Sequence, residues 1–275
     1  MMNNSLLFGA VLITTSPFVM ATEVVSDEVI SFQRNNLEKN TVGKGFGPQS
    51  PRDIDNLNGT NQRSFGLAPH YSQMNLCNIH FHKNAEHKGG EFTLYAGNGD
   101  GKGFNTGYRY RGTLTKEELK PFDHIELTSG DTIELHYVHS SADVKPGPTL
   151  GSCLSESLSN PQLRVEAQVF VLVNDANAAN FLELTQHGEV NGYHQALNIP
   201  NNTGKPIQYA GSTTGPSYNE VGSPLQVTWS VRPRVQKVSI ASVAEWLKGN
   251  DFDEDHAHGV RNLVTDPNLL STGHQ

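Results

Sequence analysis

The chain has 275 residues, of which 36% are hydrophobic and 17% charged, a length that allows one sizeable core. Its 20 Lys and Arg residues against 28 Asp and Glu residues give a formal net charge of -8, which argues against a nucleic-acid or anionic-membrane surface. The mean hydropathy of -0.46 excludes an integral membrane protein. The 26 glycines and 14 prolines indicate many turns and favour short strands over long helices.

The N-terminus has the pattern of a secretory signal. An apolar run over Leu6 to Ile13 continues to Val19-Met20-Ala21, where small or apolar residues precede a plausible cleavage point. We predict a signal peptide over residues 1–21; a buried N-terminal strand or a single anchor is the alternative, because no Lys or Arg precedes the apolar run. The run is too short and too interrupted to span a bilayer. A periplasmic or secreted protein without a membrane span in the mature chain is therefore expected.

Export also bears on the cysteines, since the sequence contains two, Cys77 and Cys153. In an oxidising compartment an isolated pair is expected to form one disulfide. Two free thiols are the alternative.

The predicted elements begin after a polar stretch without periodicity, which predicts a flexible N-terminal arm over residues 22–44. A single domain follows over residues 45–275 and includes a C-terminal helical or irregular segment. Short runs of β-branched and aromatic residues predict strands near 76–83, 91–96, 106–112, 131–139, 163–173, 206–210 and 225–232. Helical patterns occur near 177–184 and 242–248. The predicted fold is mainly β, with a central, mostly antiparallel twisted sheet and a few short peripheral helices.

The first predicted strand carries metal-binding residue types. Its period of two places Asn78, His80 and His82 on one face, whereas Cys77 and its alternating neighbours point to the other face. Two imidazoles therefore converge on one point.

A second predicted strand adds a third imidazole. Glu134 and His136 share one face of it, and antiparallel pairing with the first strand would bring His136 to the two other histidines. Three neutral histidines with an open fourth position are typical of a catalytic zinc site. Glu134 and Asn78 would accept hydrogen bonds from the ring N–H groups and so fix the tautomers. His139 faces away from His136 in an ideal strand and is expected to make a structural hydrogen bond behind the site.

These residues resemble a known family. Asn78-Ile79-His80-Phe81-His82 and Glu134-Leu135-His136-Tyr137-Val138-His139 resemble the ligand strands of alpha-class carbonic anhydrases. Residues 47–54 are similar to that family's early Gln-Ser-Pro segment, and residues 209–216 and 227–229 to its late Thr-Thr and Val-Thr-Trp segments. The form of residues 80–87 and the long insertion before His136 look more like the delta class. The chain therefore resembles a delta-class carbonic anhydrase with alpha-class-like active-site motifs, over Gly47 to about Pro233, and an alpha-carbonic-anhydrase-like fold is implied.

The resemblance implies a cofactor, a substrate and a reaction. It makes His80, His82 and His136 the ligands of Zn²⁺, and CO₂ and bicarbonate the small-molecule partners. Zinc-bound hydroxide would attack CO₂ to give bicarbonate and a proton. No nucleic-acid partner is expected, and the oligomeric state is not predicted.

Further roles follow from the same resemblance. Thr213 would orient the hydroxide and donate its own proton to Glu86, with Glu91 as the competing carboxylate. Val138 would line an apolar pocket for CO₂, and Thr214 would contact bicarbonate.

Turnover also requires a group that carries the proton to solvent. His87 and His70 are the candidate shuttles, and His87 is the one assigned to the catalytic set, together with Glu134.

Two other functions fit part of the pattern. His80, His82, Glu86 and His136 also match a cupin-like iron or manganese enzyme, in which Glu86 would be a metal ligand. A non-catalytic periplasmic zinc-binding protein would suit a chain with 12 histidines. Zinc bound by three nitrogen ligands would favour the carbonic anhydrase hypothesis over the cupin-like hypothesis.

Overall fold

The computed structural model describes residues 24–212 and 219–271. The signal peptide predicted over residues 1–21 lies outside the described residues, as do Thr213 and Thr214. In the part of the chain that is described, no helix has both the length and the apolar character needed to cross a bilayer.

Strands dominate the described residues, and three α-helices accompany them. The strands are β1 Asn75–Lys83, β2 Leu94–Tyr95, β3 Tyr108–Arg109, β4 Thr132–Ser140, β5 Leu163–Val173, β6 His187–Val190, β7 Tyr193–Ala196, β8 Ile207–Ala210, β9 Val227–Val231 and β10 Gln236–Ser239. The helices are α1 Asp27–Thr41, α2 Phe181–Leu184 and α3 Ile240–Trp246. Every predicted strand and both predicted helices are present, although β2 and β3 are shorter than expected.

The main sheet has six strands. Five of them lie in the order β1-β4-β5-β9-β8, and the sixth, β10, pairs with β5 outside this order. The β1–β4, β4–β5 and β8–β9 pairs are antiparallel, whereas β5–β9 and β5–β10 are parallel. β5 is buried along all 11 of its residues, as expected for a Val- and Leu-rich strand covered on both faces. The sheet is therefore mixed, with a majority of antiparallel pairings.

Three strands were not predicted. The β6–β7 hairpin is polar and partly exposed and lacks a clear alternation of apolar residues. β10 has four residues and leads directly into α3, so its pattern merges with that of the helix.

The prediction of a flexible arm over residues 22–44 is wrong, because α1 occupies most of that range. The buried residues Ile30, Gln33 and Leu37 recur at helical spacing and form one stripe. Leu37 packs in a small cluster with Val264 and the pair Leu269-Leu270 from the C-terminal segment. A stripe that needs a partner more than 200 residues away in the sequence carries only a weak local pattern, which explains the error.

The two faces of the sheet bury different clusters. One cluster contains Ile79, Phe81 and Leu135 and packs against α2 and α3. The other contains Val138 and Trp229 and lies on the side of the histidines.

Cys77 belongs to the histidine-side cluster, so its predicted placement on the opposite face is wrong. The register of β1 against β4 shifts between Leu76 and Asn78, and such a bulge breaks the alternation of side chains. The predicted disulfide between Cys77 and Cys153 is confirmed.

Candidate metal centre

Three histidines meet on adjacent strands. His80 and His82 lie two residues apart on β1, and His136 on β4 is directly opposite His80 in the antiparallel register. One ring nitrogen from each of the three lies within 4.8 Å of the others. The period of two within β1 and the register between β1 and β4 therefore produce the cluster that the sequence predicts.

Each imidazole has one ring nitrogen fixed by a hydrogen-bond acceptor. His80 Nδ1 donates to Asn78 Oδ1 over 2.6 Å, and His136 Nε2 donates to Glu134 Oε1 over 2.9 Å. His82 Nδ1 donates to the backbone oxygen of Gly259 over 2.8 Å. These bonds leave the lone pairs of His80 Nε2, His82 Nε2 and His136 Nδ1 available for a metal ion.

The Gly259 carbonyl is a partner that the sequence reasoning missed. The C-terminal segment runs along the free edge of β1, where His258 N donates to Phe81 O and Lys83 N donates to His258 O. This pairing brings the Gly259 oxygen to His82. No local sequence pattern indicates such a contact.

The electrostatics favour neutral imidazoles at His80 and His82. Burial, followed by the neighbouring His136 and His82, holds the pKa of His80 well below its usual value. Burial likewise lowers the pKa of His82 to about 4, although Glu86 acts in the opposite direction. Neutral imidazole is the form that binds metal.

A ring nitrogen without a hydrogen-bond partner also indicates that the cluster can bind a metal ion. His82 Nε2 is buried and has no hydrogen-bond partner among the described residues. A buried nitrogen without a partner is costly unless an ion or water occupies the site. Three nitrogen donors without a carboxylate suit zinc.

Glu134 lies at one end of a buried hydrogen-bonded chain. Its Oε1 also accepts from His87 Nδ1 over 2.5 Å, and its Oε2 accepts from the His87 backbone N–H over 2.9 Å. His87 Nε2 then accepts from the Tyr209 hydroxyl over 2.7 Å, and that hydroxyl contacts Ser50 Oγ over 2.7 Å. Burial tends to raise the pKa of Glu134, but the neighbouring His87 and the bonds from the two histidines outweigh it, so the pKa lies well below its usual value. Glu134 is therefore a carboxylate that orients His136.

The proton-shuttle role predicted for His87 is wrong. His87 is 0% exposed, and both of its ring nitrogens are engaged in the buried chain. A residue without access to solvent cannot deliver a proton there. His87, Glu134 and His136 form a second cluster of possible ligands, but the hydrogen bonds among them already use the atoms that would bind an ion.

The two candidate carboxylates have different surroundings. Glu86 is buried, lines the histidine cavity and accepts from Arg52 Nη1 over 2.9 Å. Its Oε2 lies 3.7 Å from His82 Nε2. Glu91 instead accepts from the backbone N–H of Val235 over 2.8 Å, and it does not line the cavity.

Arg52 is a second residue that the sequence reasoning missed. It is 1% exposed and has a positive φ of 57°, so this buried cation also has an uncommon backbone conformation. Burial tends to raise the pKa of Glu86, but Arg52 and His82 outweigh it and lower the pKa. Glu86 is thus an ionised acceptor beside the cluster.

The histidines open into a cavity of about 400 Å³. One wall is apolar and contains Val138, Val165, Val227 and Trp229. A small nonpolar molecule would therefore fit beside the histidine nitrogens.

His258 is the histidine at the rim of this cavity and was not predicted. Its side chain is 41% exposed, and its Nε2 hydrogen bonds to Glu254 Oε2 over 2.6 Å. Its ring centroid lies 5.4 Å from that of His80. His258 also lines a neighbouring cavity of about 730 Å³.

The remaining predicted residues lie away from the cluster. His139 Nδ1 donates to Tyr137 O over 3.1 Å, and the His139 side chain is fully buried. His70 is exposed and hydrogen bonds to Ser72 Oγ.

The fold and the site define a β-sheet protein with a candidate three-histidine metal centre beside an apolar cavity. A family model described as delta carbonic anhydrase matches residues 71–242. This match covers more than half of the chain, and the chain belongs to the delta carbonic anhydrase family. The protein is accordingly a carbonic anhydrase, a class of metalloenzymes that hydrate CO₂.

Among solved structures, the chain is similar to an alpha-carbonic anhydrase from Photobacterium profundum. The identity is 17%, the match covers 80% of this chain and 88% of that chain, and the TM-score is 0.27. No curated protein sequence matches the chain.

Proposed function

We propose that the chain hydrates CO₂ reversibly at a Zn²⁺ ion held by His80 Nε2, His82 Nε2 and His136 Nδ1. The observation that carries this proposal is the set of three converging lone pairs, each fixed by a hydrogen-bond acceptor on the other ring nitrogen. As in carbonic anhydrases generally, Zn²⁺ would supply a Lewis acid that turns water into a nucleophile at neutral pH.

The residues around the cluster would bind and orient the reactants. Val138 and Trp229 would hold CO₂ against the apolar wall, away from bulk water. Glu86, ionised beside Arg52, would accept the hydroxyl proton of Thr213, which could then only accept a hydrogen bond from the nucleophile. Thr214 would contact bicarbonate as it forms.

We infer that His258 carries the proton, in the place of His87. Its support is positional, because His258 lies at the rim, next to His80, and is open to solvent. His258→Ala should lower turnover in dilute buffer, and an added imidazole buffer should restore it. His187→Ala, which changes another partly exposed histidine, is the control. A failure of imidazole to restore the rate would assign His258 a structural role only.

We also propose that the protein works in the periplasm or after secretion. The support is the disulfide between Cys77 and Cys153, which is stable in oxidising compartments. Fractionation of cells that produce the full chain, followed by thiol labelling, tests the proposal. Recovery of the chain in the cytosol with reduced cysteines would refute it.

The decisive experiment combines metal analysis with stopped-flow CO₂ hydration. The purified protein should contain one zinc ion per chain and lose activity when a chelator removes it. His82→Ala should lose both zinc and activity, whereas His187→Ala should keep both. A fully zinc-loaded protein without hydration activity would refute the proposal.

One further variant separates zinc hydration from the cupin reading, in which Glu86 is a ligand. Glu86 lies outside the set of nitrogens that converge, and Arg52 already engages its carboxylate. Glu86→Gln should therefore keep zinc while losing activity. Loss of the metal in this variant would favour a carboxylate ligand.

A further inference from the structure

A second polar cavity, of about 390 Å³, lies apart from the three histidines. It is formed by one side of α1, by the segment 106–108 that leads into β3, and by residues 261–263 near the C-terminus. The catalytic proposal assigns no role to it. Its lining includes Arg34, Arg261, Thr106, Tyr108 and Asp27.

Two buried donors at this cavity lack partners. The Thr106 side chain is 2% exposed, and its hydroxyl has no hydrogen-bond partner among the described residues. Arg34 Nε is also buried without a partner there, and no carboxylate among residues 24–212 and 219–271 forms an ion pair with Arg34. Buried groups of this kind are rare in proteins unless they bind water, an ion or a ligand.

The lining is rich in guanidinium groups although the whole chain is acidic. Arg34 and Arg261 contribute two guanidinium groups, and Asp27 is the one carboxylate in the lining. Asp27 Oδ1 already accepts from Asn98 Nδ2 over 2.8 Å. The lining therefore contains two guanidinium groups and one carboxylate, in a chain whose net charge is -8.

The hydroxyl of Tyr108 adds a further donor. Burial, with smaller effects of Tyr95 and Asp53, raises the pKa of Tyr108 to about 12. The hydroxyl therefore stays protonated at neutral pH and can donate a hydrogen bond to an anion.

We propose that this cavity binds a small oxyanion, held by the guanidinium groups of Arg34 and Arg261 and by the Thr106 hydroxyl. Guanidinium forks match the spacing of two oxygens on a planar or tetrahedral oxyanion. Bicarbonate, phosphate and sulfate share this chemistry. Arg261 also lines the cavity of the three histidines, so an anion bound here would lie next to the catalytic cavity. The proposal does not depend on the identity of the metal.

Calorimetric titration of the purified metal-loaded protein with sulfate, phosphate and bicarbonate tests this site. Wild type should bind at least one of the three anions saturably. The anion with the highest affinity identifies the class of oxyanion that the cavity prefers. Arg34→Gln and Thr106→Val should each weaken that binding, the arginine variant by about tenfold or more, since a hydrogen bond to a charged group is lost.

The matched control is Arg63→Gln. Arg63 is an exposed arginine that donates to the Phe46 backbone oxygen, and it does not line the cavity. Its substitution should leave anion affinity unchanged. Bicarbonate binding at the metal would be insensitive to Arg34→Gln, which separates the two locations. The proposal is overturned if no anion binds saturably to wild type, or if Arg34→Gln and Thr106→Val both bind as tightly as wild type does.

Discussion

Replacing Glu134 by glutamine should weaken zinc binding without emptying the site of ligands. The Glu134 carboxylate accepts three hydrogen bonds, one from His136 Nε2 and two from His87. A glutamine side chain has one accepting oxygen, and its NH₂ group can only donate. The His87 backbone N–H faces Oε2 and can only donate, so the amide oxygen should take that place. The NH₂ group would then face His136 Nε2 in the place of Oε1, and the His136 tautomer would no longer be fixed.

The size of the effect follows from these contacts. A hydrogen bond to a charged group contributes about 1.5–3 kcal/mol. Loss of one such bond to His136 corresponds to a decrease in zinc affinity of about 10- to 100-fold, the range known for groups that orient metal ligands. Competition with a chromophoric chelator measures this affinity directly. CO₂ hydration at saturating zinc then reports separately on the fraction that remains active.

Glu166→Gln is the matched control for Glu134→Gln. Glu166 is a buried carboxylate on the neighbouring strand β5, where it pairs with Arg164 over 2.6 Å, away from the three histidines. Its substitution should lower the free energy of unfolding and leave zinc affinity unchanged. The reasoning is refuted if Glu134→Gln binds zinc as tightly as wild type, or if both variants lose affinity equally.

Three further predictions concern stability. Arg52→Met leaves the Glu86 carboxylate buried without its partner, so the free energy of unfolding measured in urea should fall by about 3–5 kcal/mol. An unchanged free energy of unfolding would mean that water replaces the guanidinium. Cys77→Ala with Cys153→Ala opens a loop with a sequence separation of 76, and a loss of about 4.5 kcal/mol is expected in the same assay. A loss below about 1 kcal/mol would contradict the loop-entropy argument. Burial lowers the pKa of His139 to about 3, so the unfolded state binds a proton there that the folded state does not. This contribution to stability is complete above about pH 6.5 and is lost as the pH falls toward 3. His139→Gln should therefore reduce the slope of the unfolding free energy against pH in that window by up to about 1.4 kcal/mol per pH unit. An unchanged slope would contradict this prediction.

The strand patterns predicted much of the site because their information is local. Alternation along β1 places Asn78, His80 and His82 on one face, and alternation along β4 does the same for Glu134 and His136. An antiparallel pairing of these two strands then brings the three imidazoles together, and the observed register does so. The same local reasoning failed at Cys77, where a bulge interrupts the alternation.

Contacts from distant irregular segments were beyond such reasoning. The Gly259 carbonyl reaches His82 across 177 positions, and Arg52 reaches Glu86 from a loop with no periodicity. His258 lies at the rim because its segment pairs with the edge of β1. Loop residues of this kind carry no repeating pattern, so only the packed fold specifies their neighbours.

The amino-acid sequence by itself determined the mainly β class, the locations of seven of the ten strands in the described residues, the three histidines and the cysteine pair. Each of these depends on residue type, spacing or composition within a short stretch. The tertiary structure alone decided that His87 is sealed in a buried chain, that α1 is anchored by the C-terminal segment, and that His258 faces solvent beside the cluster. The physical reason is that burial and solvent access depend on all the elements packed around a side chain, and these elements are far apart in the sequence.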